Sequence, residues 1–162
     1  DAPLFDWKAF TFGGHVERIV RQTHVDGTFV GQIFEPDESG KVALSPRRPD
    51  TVEKRSDAPV PPFFEELVRM ASEIGRHFDH VRVDFLSSGD RLWIGELTLY
   101  SMSGYLLRTG HDPEDPAAKA WDLRRTWFLT TPQPGFWGLY ARTLKAVLDR
   151  NAAAAQRNPT GP

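Results

Sequence analysis

The sequence predicts an α+β protein: an antiparallel β-sheet with helices packed on one face. Three observations predict it. The first third of the chain carries alternating and β-branched runs, an amphipathic helical segment follows a proline-rich connector, and a second pair of alternating runs comes directly after that helix. From Leu4 to Phe12 the side chains alternate, with Trp7 opposed in phase to Asp6 and Lys8, and Gly13-Gly14 turns the chain into His15 to Val20, which reads as a hairpin. Thr28 to Phe34 is a further strand, closed by Glu35-Pro36-Asp37-Glu38-Ser39-Gly40. Pro46, Pro49, Pro59, Pro61 and Pro62, with the charges around Arg47-Arg48 and Glu53-Lys54-Arg55, mark residues 45–62 as an exposed, solvated connector.

Phe64, Leu67, Val68, Ala71, Ile74 and Phe78 recur at helical spacing, with Glu65 and Glu66 early, as the helix dipole prefers. His77 and His80 close that helix, where a carbonyl-rich terminus tolerates a protonated imidazole. Val81 to Leu86, the turn Ser88-Gly89-Asp90, and Arg91 to Tyr100 form strand, turn and strand. Asp115 to Thr126 and Phe136 to Ala155 read as helices, the second placing Trp137, Tyr140, Leu144, Val147 and Leu148 on one face. The Ala-rich stretch from Asn151 is expected to fray, which gives one domain over residues 1–150 and a flexible tail over 151–162.

The 162 residues are 40% hydrophobic and 26% charged, enough apolar content for one substantial core, and a formal net charge of −2 argues against a general nucleic-acid or polyanion binder. The absence of cysteine excludes disulfides, thiol nucleophiles and thiolate zinc sites, and makes a cytoplasmic setting the default. No run approaches the 18 or more apolar residues that suggest a membrane span. His15, His24 and His111 are scattered through turns and loops and read as surface residues.

The chemistry concentrates in the second hairpin. Val81, Val83 and Phe85 share one face, so Arg82 and Asp84 project from the other; Trp93, Leu97 and Leu99 are the apolar set of the next strand, which places Glu96 and Thr98 opposite. If 84 pairs with 96, both apolar sets coincide and Arg82, Asp84, Glu96 and Thr98 form one polar patch. That register is expected to need an odd-numbered loop centred near Asp90. Two carboxylates placed directly opposite repel unless a cation lies beside them. Hard oxygen donors with a hydroxyl nearby suit magnesium, and Arg82 would add fixed positive charge for phosphate. The bland reading of the same pattern is a solvated hairpin face with an Arg82 to Glu96 salt bridge.

Val81-Arg82-Val83-Asp84-Phe85, followed by Trp93-Ile94-Gly95-Glu96-Leu97-Thr98-Leu99-Tyr100, resembles the metal-binding core of the ATP-grasp superfamily, and more closely its TupA-like branch, associated with teichuronopeptide and other surface-polysaccharide biosynthesis. Upstream, Asp6 to Gly14 is similar to the same branch, as are the helix before the hairpin and Trp121-Asp122 after it; the stretch between Arg18 and Gly40 departs from it. The resemblance implies an ATP- and Mg2+-dependent carboxylate-amine ligase working through an acyl phosphate. It implies Asp84 and Glu96 as magnesium ligands with Thr98 at a third ligand position, Arg82 facing phosphate and the acyl phosphate, and Lys8 on phosphate or acceptor. A complete unit of this kind has an earlier lobe with an adenine pocket and a glycine-rich loop. The chain is therefore expected to be a C-terminal half, binding ATP poorly by itself.

The competing reading is a non-catalytic, β-rich module whose five Trp and eleven Phe form a platform for a sugar or a partner protein. Core packing accounts for many of these rings. Trp121, Trp127, Phe128, Phe136 and Trp137 are clustered enough to meet a missing lobe or a second chain.

Overall fold

The computed structural model describes residues 3–47, 49–101 and 115–157. His111 and the last five residues of the expected tail lie outside them. The described chain forms two compact units, Asp1–Trp121 and Asp122–Pro162, where the sequence suggests one domain up to residue 150.

The first unit is a seven-stranded sheet with a long helix on one face. Its strands are β1 (Leu4–Phe12), β2 (His15–Val25), β3 (Thr28–Pro36), β4 (Val42–Leu44), β5 (Lys54–Arg55), β6 (Val81–Ser88) and β7 (Arg91–Thr98), with helix α1 (Phe64–Gly75) between β5 and β6. The order across the sheet is β4-β3-β2-β1-β6-β7, all antiparallel, and β5 pairs with β3 in parallel. Gly13 and Gly14 both take positive φ (59° and 92°), which a two-residue turn joining twisted strands requires and which glycine adopts without steric cost.

Strand alternation builds the core. Trp7 and Ala9 of β1, Ile19 of β2, Phe34 of β3 and Val81, Val83 and Phe85 of β6 all point to one face and meet Phe64, Leu67 and Ala71 of α1. Each large side chain so buried contributes about 1.5–3 kcal/mol. The Trp7 indole donates from Nε1 to Ser87 Oγ at 2.8 Å, so its one polar atom is satisfied. The helix comes close enough at Gly75 that a Cβ there would lie 2.5 Å from Thr11 Oγ1.

The connector over residues 45–62 is more than a solvated loop. Ser45, Pro49 and Val52 are buried, and the carbonyls of Ala58 and Pro59 accept from the Arg21 guanidinium at 2.7 and 2.9 Å. Arg21 also lies over the Phe5 and Trp7 rings, and burial pulls its pKa down to about 10. The prolines hold an extended segment whose carbonyls face the sheet, which is a buried cation's need.

His80 differs from expectation too. It is not a charged helix terminus but a buried imidazole, stacked on Phe12 at 4.6 Å, with Nδ1 2.9 Å from the Thr11 carbonyl oxygen. Burial lowers its pKa, against the opposing effect of the Thr11 hydrogen bond, so the neutral ring is favoured.

The predicted helix at 115–126 breaks into α2 (Pro116–Ala120), a 3-10 turn (Leu123–Arg125) and, after Thr126, α3 (Trp127–Thr130). Asp115 caps α2 by accepting from Ala117 N, and Asp122 caps the 3-10 turn by accepting from Arg124 N. In the second unit α4 runs Gly135–Arg157, so the Ala-rich stretch expected to fray continues as helix, consistent with alanine's high propensity.

Candidate functional site

The sheet face opposite the core carries all five residues singled out from the sequence. Three cross-strand rows run over β1, β6 and β7: Phe10, Arg82 and Thr98; Lys8, Asp84 and Glu96; Asp6, Leu86 and Trp93. Lys8, Arg82, Asp84, Glu96 and Thr98 therefore share one patch because all lie out of phase with the core residues of their own strands.

The pairing of Asp84 with Glu96 is the expected one, but it is reached differently. The turn is the two-residue Gly89-Asp90, flanked by the pair Ser88 and Arg91, not an odd loop. The register then shifts between Asp84 and Phe85, because Phe85 pairs with Ile94 and Asp84 with Glu96, leaving Gly95 as an extra residue. This bulge does what the odd loop was expected to do. It also moves Trp93 opposite Leu86, onto the polar face and away from Leu97, so Trp93 is not part of the apolar set. Trp93 is 46% exposed, and so is Leu97.

The polar groups form a connected chain. Arg82 grips Asp84 with both arms, Nε to Oδ1 at 2.6 Å and Nη2 to Oδ2 at 2.7 Å, and the same Nη2 donates to Thr98 Oγ1 at 3.1 Å. Thr98 Oγ1 in turn donates to Glu96 Oε1 at 3.0 Å. Lys8 Nζ is bonded to Asp6 Oδ2 and lies 3.9 Å from Asp84 Oδ2, while Gln22 Nε2 donates to Asp6 Oδ2 at 3.0 Å. The Asp84 hydrogen bonds are the main reason the Arg82 pKa lies above its ordinary value. The ion pair foreseen between Arg82 and Glu96 is thus made to Asp84 instead, two residues along the same strand, with Thr98 linking Glu96 to the pair.

Asp6 and Gln22 complete the network and were not picked out from the sequence. Asp6 had a readable signal, since it lies two residues from Lys8 and shares its face. Gln22 had none, because its place opposite Asp6 depends on the β1–β2 register. Both also line an open groove of about 510 Å3 with Leu4, Thr23, His24 and Phe29.

The donor set bears on magnesium directly. Among the described residues no three His, Asp or Glu side chains are grouped so as to hold an ion. Asp84 and Glu96 are paired across the two strands, and two carboxylates are a number that magnesium uses when phosphate and water supply the other positions. Each Asp84 oxygen accepting one Arg82 hydrogen keeps a second lone pair, so the guanidinium and a cation are compatible neighbours of that carboxylate.

The chain matches no family model, no curated protein and no solved structure.

Proposed function

We propose that this face is the phosphate- and metal-binding half of an ATP-dependent carboxylate-amine ligase site. The observation that carries the reading is the cross-strand row in which Lys8, Asp84 and Glu96 stand side by side, next to the row containing Arg82 and Thr98. Asp84 and Glu96, with Thr98, would hold Mg2+ on the phosphates of ATP; the ion would neutralise phosphate charge and orient the transferred group. Lys8 and Arg82 supply the remaining positive charge. Arg82 would serve two duties: its bidentate bond fixes the orientation of the Asp84 carboxylate, and its planar fork suits the phosphate oxygens of ATP or of an acyl phosphate. In such a reaction the substrate carboxylate attacks the terminal phosphoryl group of ATP, ADP leaves, and an amine then displaces phosphate from the acyl carbon. Positioning and charge neutralisation are the main requirements, and no nucleophilic side chain is needed. Surface-polysaccharide precursors in the cytoplasm are the proposed setting.

Manganese, used as a paramagnetic stand-in for magnesium, tests the site without requiring turnover. Added without nucleotide, the ion should broaden the backbone amide signals of Asp84, Glu96 and Thr98, and Asp84→Asn or Glu96→Gln should weaken its binding by about tenfold or more. Broadening elsewhere, or unchanged binding in both variants, defeats the proposal. A second reading has one observation in its favour: the bidentate Arg82–Asp84 pair already neutralises the carboxylate, as a purely structural network on a sugar- or protein-binding sheet would. On that reading no manganese binds at the hairpin.

A further inference from the structure

The chain's small net charge conceals a partition. Residues Asp122–Pro162 contain six basic side chains against two acids, Asp122 and Asp149, so this unit carries +4 while the whole chain carries −2. Both acids are already engaged: Asp122 binds Arg124 through both oxygens, and Asp149 lies 3.6 Å from Lys145. Arg142 and Arg150 of α4 are exposed, and among the described residues no acid pairs with either.

The same unit presents an aromatic surface. Trp127, Phe136 and Trp137 are 68%, 72% and 58% exposed, higher than any core-facing strand residue, and Tyr140 is also exposed. Phe128, Phe136, Trp137 and Tyr140 form one cluster, since Trp137 lies 6.1–6.3 Å from the other three rings, and Trp127 is the neighbour of Phe128 in α3. Phe136, Trp137 and Tyr140 occupy the first two turns of α4. Arg150 comes back to nearly the same line as Phe136 about four turns later, by the 3.6-residue period. Large aromatics grouped in water are costly unless something covers them. Arg142 lies on the side of α4 away from the rings and Arg150 on their flank, so the helix pairs an aromatic face with a basic polar one, and its complement is an interface that is apolar just below the surface and negatively charged at it. No described helix is long and apolar enough to cross a membrane, so α4 would lie on such a surface.

We propose that the unit formed by α3 and α4 docks on an anionic lipid bilayer, with Trp127, Phe136, Trp137 and Tyr140 entering the interface and Arg142 and Arg150 meeting the headgroups. This stands apart from the ligase reading, since none of its residues belongs to the hairpin site.

The experiment is flotation of the full chain with vesicles of phosphatidylcholine alone and of phosphatidylcholine containing 30% phosphatidylglycerol. The chain should float with the anionic vesicles, release as salt is raised, and show tryptophan quenching by lipids brominated along the acyl chain. Phe136→Ser with Trp137→Ser should weaken vesicle binding by about tenfold or more, as should Arg142→Glu with Arg150→Glu. Circular dichroism matching the parent chain shows that the variants fold. Absence of flotation with anionic vesicles, equal flotation with neutral ones, or unchanged binding in both variants overturns the proposal. So does a stable dimer in sedimentation that the aromatic variant abolishes, because the patch then belongs to a second copy.

Discussion

β6 and β7 are two arms of one hairpin with similar alternation, yet they live in different environments. Val81, Val83 and Phe85 of β6 are fully buried beneath α1, whereas Ile94 and Leu97 of β7, which pair with Phe85 and Val83, are about half exposed. Helix α1 packs over β1, β2 and β6, and among the described residues β7 is one edge of the sheet. Alternation therefore reports which face a side chain takes, while burial depends on what covers that face. The contrast is broken most directly by truncating both partners of the Phe85–Ile94 pair. Phe85→Ala should lose about 3–5 kcal/mol in urea denaturation, from lost transfer energy and the cavity left behind. Ile94→Ala should lose well under half of that, because water already reaches the site. Equal losses would mean that β7 is covered in solution.

His80 sharpens the same comparison at the other end of β6, where a polar side chain is buried instead of a hydrophobic one. Its folded pKa is depressed below the usual 6.5 by burial. The unfolded chain therefore binds the proton more readily, and stability is present above about pH 6.5 and lost as pH falls toward the folded value. Glu17 works in the opposite sense, since burial raises its pKa and favours the protonated folded form as pH falls. Denaturation midpoints at pH 5.5 and 7.5 in the parent and in His80→Gln separate the two. The parent should lose stability at the lower pH and the variant should lose less; identical pH slopes would show that His80 is not held neutral.

What could be read from the sequence divides along the same line. The Asp84–Glu96 pairing was legible because it lets the apolar residues Val81, Val83 and Phe85 meet the set that includes Leu97, even though Trp93, counted in that set, lies on the polar face. Lys8 was legible because Trp7 fixed its phase. The Gly95 bulge was not, since an extra residue leaves no periodic trace of its own, and it carried Trp93 to the polar face unannounced. His80 next to Asp79 looked like a helix terminus because nothing local says that Phe12 and Trp121 will stack around it. The carbonyls of Ala58 and Pro59 reach Arg21 across 37 or more positions, a distance over which composition says nothing. Exposure on β7 depends on where one helix stops, which is a fact of packing.

The bulge yields the smallest effect. If Gly95 only absorbs the difference between a two-residue turn and the Asp84–Glu96 register, deleting it joins Ile94 directly to Glu96. Counting back from Ser88 and Arg91, Phe85 still pairs with Ile94, and Asp84 now pairs with Glu96 in an unbroken ladder. No side chain is lost from the core, and the space around Gly95 is open enough that the nearest neighbour to an added Cβ is the Asp84 carbonyl oxygen at 3.5 Å. The deletion should therefore change stability by less than about 1 kcal/mol and leave cross-strand contacts between the Asp84 and Glu96 amides intact in the NMR spectrum. If instead the deletion sends Glu96 to the core face, the register is set by Gly95 itself and not by the turn and the two polar rows.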